Sequence, residues 1–176
     1  MLFMRDFHPD DDVASPEGYA PQMSPDDYDP GIPNQLLDFI LRSEPSEPID
    51  TDLFAVMKKR RSTRKFSDKP VETTKIDKII AAADTAPTAG NFQGFEIFYV
   101  KSLEKKRALV DACNNQSYVD APIVLVFCKN PSRVKFNFPP YVLRKFAIQD
   151  ATLAAGYSQL AAQAMGLSSI WIGMFD

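Results

Sequence analysis

Residues 141–172, YVLRKFAIQDATLAAGYSQLAAQAMGLSSIWI, decide the fold. Tyr141 to Met165 is proline-free and very rich in alanine, the strongest helix former, so one long helix is expected there. Gly166 suits the C′ position, where a left-handed backbone ends a helix at no steric cost. Ser168 to Ile172 then reads as an apolar strand. Ala151, Ala154, Ala155, Gly156, Ala161 and Ala162 make a face of small residues on the helix. Such a face permits close helix packing, either within the chain or between subunits.

Working back from that helix, Lys129 to Pro140 is a loop. Ile123 to Cys128 is an unbroken apolar strand of the kind buried on both faces. Ser102 can cap a helix running to about Cys113, and Phe95 to Val100 is a further strand. The loop Ala86 to Gly94 is broken by Pro87 and Gly90. A helix from about Thr74 to Ala83 turns Ile76, Ile79, Ile80 and Ala83 inward. Another, capped by Asp50 or Thr51, runs to about Arg61 with Leu53, Val56 and Met57 on its buried face. Its last turn, Lys58 to Arg61, is cationic, as the helix dipole favours. Helices alternating with few strands imply a sandwich of the α+β or α/β kind. Residues 1–49 read as an acidic, proline-rich leader, with a short helix possible only at 34–42.

Charge follows the same division. Residues 1–50 hold twelve Asp and Glu against two Arg, a balance of −10, and residues 51–176 hold eleven against eighteen Lys and Arg, +7, giving the formal −3. A basic domain behind an acidic leader suits an anionic ligand, a phosphate cofactor or a nucleic acid. The one histidine, His8, lies in the leader. Nucleophilic triads need an imidazole beside the nucleophile, and zinc enzymes need several, so no catalytic side chain and no metal site is expected. A cofactor would carry the chemistry. Cys113 and Cys128 form no CxxC pair, which fits a reducing compartment. No basic start leads into an apolar stretch, and no run approaches the ~18 residues of a membrane span, so a cytoplasmic location is expected.

Three stretches carry candidate chemistry. In Arg60-Arg61-Ser62-Thr63-Arg64-Lys65-Phe66, guanidinium forks match phosphate oxygens and the hydroxyls add neutral donors. The plainer readings are a solvated basic helix end or a nucleic-acid patch, although only Phe66 offers a stacking platform. In Ala86-Pro87-Thr88-Ala89-Gly90-Asn91-Phe92-Gln93, small residues let backbone approach a flat ligand, and Asn91 and Gln93 offer both donors and acceptors. Alone, an ordinary loop is the better reading. In Ser169-Ile170-Trp171-Ile172-Gly173-Met174-Phe175, an apolar strand reaches a glycine able to present backbone N–H groups. Alone, a core strand ending in a turn is favoured.

In this order, RRSTRKF, APTAGNFQGF, APIVLVF, AIQDA and GLSSIWIGMFD resemble the nitroreductase family over roughly residues 51–176. The resemblance implies a three-layer α+β sandwich with a central, mostly antiparallel sheet. It also implies an intertwined homodimer with FMN at the subunit interface. By position, Arg60, Arg61, Ser62 and Arg64 resemble the group that holds the FMN phosphate and reaches the ring. Thr88, Ala89, Gly90 and Asn91 look like the loop lying on the ring and ribityl. Gly173 and Met174 are similar to the residues whose N–H groups approach flavin N5. NADH or NADPH would reduce the flavin, and a nitroaromatic, quinone or related acceptor would reoxidise it, in ping-pong order. The iodotyrosine deiodinase branch shares the R-R-S-x-R text, and a non-catalytic FMN-binding protein is a further alternative. Two departures stand out. The family's frequent Pro-Trp after Gln is Gly94-Phe95 here, and a Q-N pair in the long helix is replaced near Gly156–Gln159. The resemblance also leads one to expect a C-terminal segment beyond Asp176, which in the family wraps the partner subunit and adds basic residues at the phosphate.

Overall fold

The computed structural model describes residues 52–116 and 121–175. The leader 1–49 and the helix at 34–42 lie outside these residues. Among the described residues four helices, two strands and two 3-10 turns follow one another. They are α1 (Leu53–Lys59), α2 (Thr73–Asp84), a turn at Ala89–Asn91, β1 (Phe95–Tyr99), α3 (Leu103–Ala112), β2 (Leu125–Lys129), a turn at Pro131–Arg133, and α4 (Pro140–Ala164). This is the α+β arrangement expected, and β1 and β2 pair antiparallel with Ile97 opposite Phe127.

Side-chain alternation across this sheet builds three layers. On one face Phe95, Leu125 and Phe127 pack with Ile79 and Ala83 of α2 and with Ala151, Ala154, Ala155 and Ala162 of α4. Ala151, Ala154, Ala155 and Ala162 therefore serve packing within the chain, where each missing methylene lets α4 approach α2 and β2 more closely, whereas a Cβ on Gly156 would meet nothing within 4 Å. Phe127, at 1% exposure, anchors this layer, and burying such a side chain contributes about 1.5–3 kcal/mol. On the other face Val126 packs with Leu109 and Val110 of α3 and with Cys113, Ile170 and Ile172. Burial pushes the Cys113 thiol up to about 11, so it carries little thiolate at neutral pH.

Local chemistry sets the element ends. The Ser102 hydroxyl accepts from the Lys105 N–H, capping α3. The N–H of Gly166 (φ +73°) donates to Gln163, and that of Leu167 to Ala162 at 2.9 Å, the paired bonds of a Schellman end. Four expectations need correction. The cap of α1 is Asp52, whose carboxylate accepts from the Ala55 N–H, so the helix is shorter than expected at both ends. Only Val56 of α1 is buried, while Leu53 and Met57 are about half exposed, in a seven-residue helix that lies against α4. The strand expected at 123–128 begins at Leu125, once the chain has passed Pro122, which has no N–H for a ladder. The strand expected at 168–172 forms only one bridge, Ser169 parallel to Ser62. It is extended all the same. Ile170 and Ile172 enter the α3-side cluster, and Trp171 the opposite one.

Candidate functional site

The basic segment and the last extended segment come together. Ser62 and Ser169 form a parallel bridge, and the Thr63 N–H donates to the Ser169 carbonyl at 3.1 Å. This fixes the end of α1 beside the run that reaches Gly173. Arg60 is the C-cap of α1, and its N–H donates to Val56. Arg61 bends back, with Nη1 donating to the carbonyls of Lys58 at 2.6 Å and of Arg60 at 3.1 Å. It therefore satisfies a helix-end carbonyl as well as supplying charge. Ser62 and Arg64 are exposed.

At the far end of the last segment, buried Ile170 and Ile172 leave Gly173 exposed. Nothing stands closer than 3.4 Å to the position a Cβ would take on Gly173, and the nearest atom is Trp171 Nε1. Met174 is 73% exposed. Its carbonyl accepts from the Gln116 amide at 3.4 Å.

The loop is anchored elsewhere. Gly90, Asn91 and Gln93 have φ of +57°, +58° and +43°. For the two non-glycine residues such a backbone costs about 1–3 kcal/mol each, and it persists only where surroundings impose it. Three groups of contacts do so. The Gln93 N–H donates to Thr88 Oγ1 at 3.2 Å, and Gln93 Nε2 to Asn91 Oδ1 at 3.1 Å. Phe136 lies so close to Gly90 that a Cβ there would meet its Cζ at 2.6 Å. Phe136 belongs to a ring cluster with Phe92, Phe138 and Phe146. The third group is made by Asp150 of α4, which is 2% exposed. Its Oδ1 accepts from the Ala89 N–H at 2.9 Å and its Oδ2 from the Gly94 N–H at 3.0 Å.

Sequence reasoning did not single out Asp150. A signal was present, since it is the one acid in α4 and lies on the alanine face between Ala147 and Ala154. Within Gln93, which is 4% exposed, Oε1 is buried and has no hydrogen-bond partner. An unmade bond of this kind is costly to leave, and it lies in the residue that orients Asn91. Beside the loop, Pro87, Thr88 and Ala89 line an open hollow with Phe146, Gln149, Asp150, Thr152 and Leu153.

The arrangement offers cations and hydroxyls at one helix end, a preformed amide-bearing loop, and an uncovered backbone at a glycine. The FMN reductase [NAD(P)H] of Bacillus subtilis is 30% identical over 125 residues, covering 64% of this chain and 50% of that one. An NADH dehydrogenase of Thermus thermophilus is 33% identical over 126 residues, covering 65% and 62%. Among solved structures, nitroreductase A from Vibrio parahaemolyticus superposes with a TM-score of 0.62 at 27% identity, covering 68% of this chain and 54% of that one. The chain thus spans between half and just under two thirds of the length of the curated relatives it matches. The sequence pattern of the Nitroreductase family matches residues 57–176, and the chain belongs to that family.

Proposed function

We propose that this protein is an FMN-dependent NAD(P)H oxidoreductase that reduces a small electron acceptor, a nitroaromatic, quinone or related molecule. The observation that carries the reading is the Ser62–Ser169 bridge, which joins the basic, hydroxyl-bearing segment to the run ending at Gly173. The residues present fit FMN. Guanidinium forks suit a phosphate, the unpartnered Gln93 Oε1 and the Asn91 amide suit a ring edge that alternates carbonyls with N–H, and the solvent-exposed backbone of Gly173 suits close approach of a flat ligand. When bound, FMN would take a hydride from NADH or NADPH at N5 and pass it to the acceptor, in ping-pong order.

This chain's own residues bind and orient. Arg60, Arg61 and Arg64, with Ser62, hold the phosphate. Thr88, Ala89, Gly90 and Asn91 carry the ring and ribityl. The backbone N–H groups of Gly173 and Met174 donate toward the reacting edge, where dipoles set in place by Ile170 and Ile172 stabilise negative charge without reorganising. No titrating side chain is required of the chain.

The protein acts as a homodimer in this reading. Leu53, Phe54 and Met57 of α1 and Leu153 and Tyr157 of α4 are exposed apolar side chains on two helices that pack together, and a second subunit would cover them. No helix among the described residues is long and apolar enough to cross a membrane.

The test is the visible spectrum of the purified chain after FMN addition and desalting, followed by anaerobic NADPH or NADH. Retained flavin that bleaches on reductant and recovers with a quinone supports the reading. Retained flavin that never bleaches makes this a flavin carrier, and complete loss of flavin on desalting overturns the assignment.

A further inference from the structure

The backbone of Ala89–Gly94 is held from both ends by a single buried carboxyl group. A carboxylate is an acceptor only, with two oxygens. Here each oxygen takes one N–H, from Ala89 and from Gly94, across sequence separations of 61 and 56 residues. Between those two donors lie all three left-handed residues of the loop, Gly90, Asn91 and Gln93. Position 94 is also where a donor is not guaranteed. Proline, frequent at this place in the family pattern, has no N–H to give. A Cβ on residue 94 would meet Val134 Cγ2 at 2.8 Å, Asp150 Oδ2 at 2.9 Å and Ala147 Cα at 3.2 Å. Glycine therefore does two things here. It keeps the N–H, and it lets the carboxylate come close enough to receive it.

We infer that Asp150 is the positioning residue of the cofactor loop, its two oxygens fixing the span from Ala89 to Gly94 and so the presentation of Gly90 and Asn91 to the flavin. The inference rests on the FMN reading above. Asp150 need not touch the flavin. Its effect passes through the two backbone bonds, and α4, 25 residues long and packed on α2 and β2, supplies the rigid base. Asparagine at 150 would offer one acceptor and turn an amide donor toward a backbone donor, so one end of the loop would be released.

The test uses the whole chain and two variants. Asp150→Asn removes one acceptor. Ala89→Pro removes one donor without altering α4, and it suits the backbone because Thr88 is extended (φ −132°, ψ 158°), the conformation required before proline. Two quantities are read: FMN affinity, from quenching of flavin fluorescence, and amide exchange residue by residue in the flavin-free chain. Both variants are expected to weaken FMN by tenfold or more. Both should accelerate exchange in 90–94 while β1, β2 and α2 keep their wild-type protection. Exchange that rises equally in the loop and the sheet would make Asp150 a general packing residue and overturn the inference, as would wild-type FMN affinity in both variants. A wild-type chain that binds no FMN overturns the functional reading and the cofactor half of this one, and the exchange comparison then decides the clamp by itself.

Discussion

The Thr63 N–H donates to the Ser169 carbonyl at 3.1 Å, beside the bridge that pairs Ser62 with Ser169. That one bond ties the segment bearing Arg64 to the segment bearing Gly173. Thr63→Pro removes the donor and leaves the neighbouring side chains in place. It is expected to reduce stability by about 1 kcal/mol and to weaken FMN retention, whereas Thr63→Ala should do neither. Urea unfolding and fluorescence titration of the two variants check this pair of outcomes.

The arginines should separate by role. Arg61 already donates to the carbonyls of Lys58 and Arg60, so Arg61→Ala is expected to cost about 0.5–1.5 kcal/mol of stability in addition to weakening the hold on the phosphate. Arg64→Ala should lower FMN affinity by about ten- to hundredfold, the worth of a charge-assisted bond of roughly 1.5–3 kcal/mol. Riboflavin, which lacks the phosphate, supplies the control. Its affinity should be nearly the same for the wild type and Arg64→Ala, and an equal loss for both ligands would remove the phosphate from the assignment.

Asp150 makes stability depend on pH in a definite direction. Burial raises its carboxyl above the ordinary 3.8, and the N–H groups of Ala89 and Gly94 only partly oppose this. The folded chain thus holds this proton more tightly than the unfolded chain. The stability it contributes is fully present below 3.8 and is lost as pH rises through the raised folded value. The stability of the wild type relative to Asp150→Asn is therefore expected to increase as pH falls from neutrality toward 4, read from urea midpoints at each pH. A difference that instead grew with pH would mean that the two backbone bonds outweigh desolvation.

The exposed apolar residues of α1 and α4 give the oligomer a direct test. Phe54 is 81% exposed, so Phe54→Asp disturbs little within the chain. Sedimentation should show a dimer for the wild type and a shift to monomer for this variant, with an unchanged far-ultraviolet circular dichroism spectrum. A monomeric wild type would remove the homodimer from the proposal.

Much of this could be read in advance where the cause was local. Ser102 and Gly166 act on neighbours within four residues, and α3 and α4 end close to where those residues say. Of the inward set of α2, Ile76, Ile79 and Ala83 are buried and Ile80 is partly so, while Lys75, Lys78 and Ala81 are buried beside them. Features set by distant partners were not legible. The apolar period of α1 promised a buried face for Leu53 and Met57, but a period names a face without saying what covers it. The extended run from Ser169 to Ile172 has strand chemistry and only a single bridge. Asp150 was hidden for the opposite reason. An acid on a helix ordinarily faces water, and its two donors lie more than fifty residues away in sequence. Of the candidate site, the residue types of all three stretches were visible. What the structure adds is that two of them adjoin and that the third is held by α4.

Gly94 bears on any attempt to redesign this protein. The usual way to stiffen a loop is to restrict its unfolded chain with proline or alanine at a tolerant position. At 94 that route is closed, because Val134, Asp150 and Ala147 already fill the space a side chain would need. Residue 94 and residue 150 are therefore a coupled pair. A loop carried in from a relative with proline at this place would arrive without the N–H that Gly94 gives to the carboxylate. Added rigidity is better sought at the rim, in the ring cluster of Phe136, Phe138 and Phe146, where contacts can be altered without touching the carboxylate.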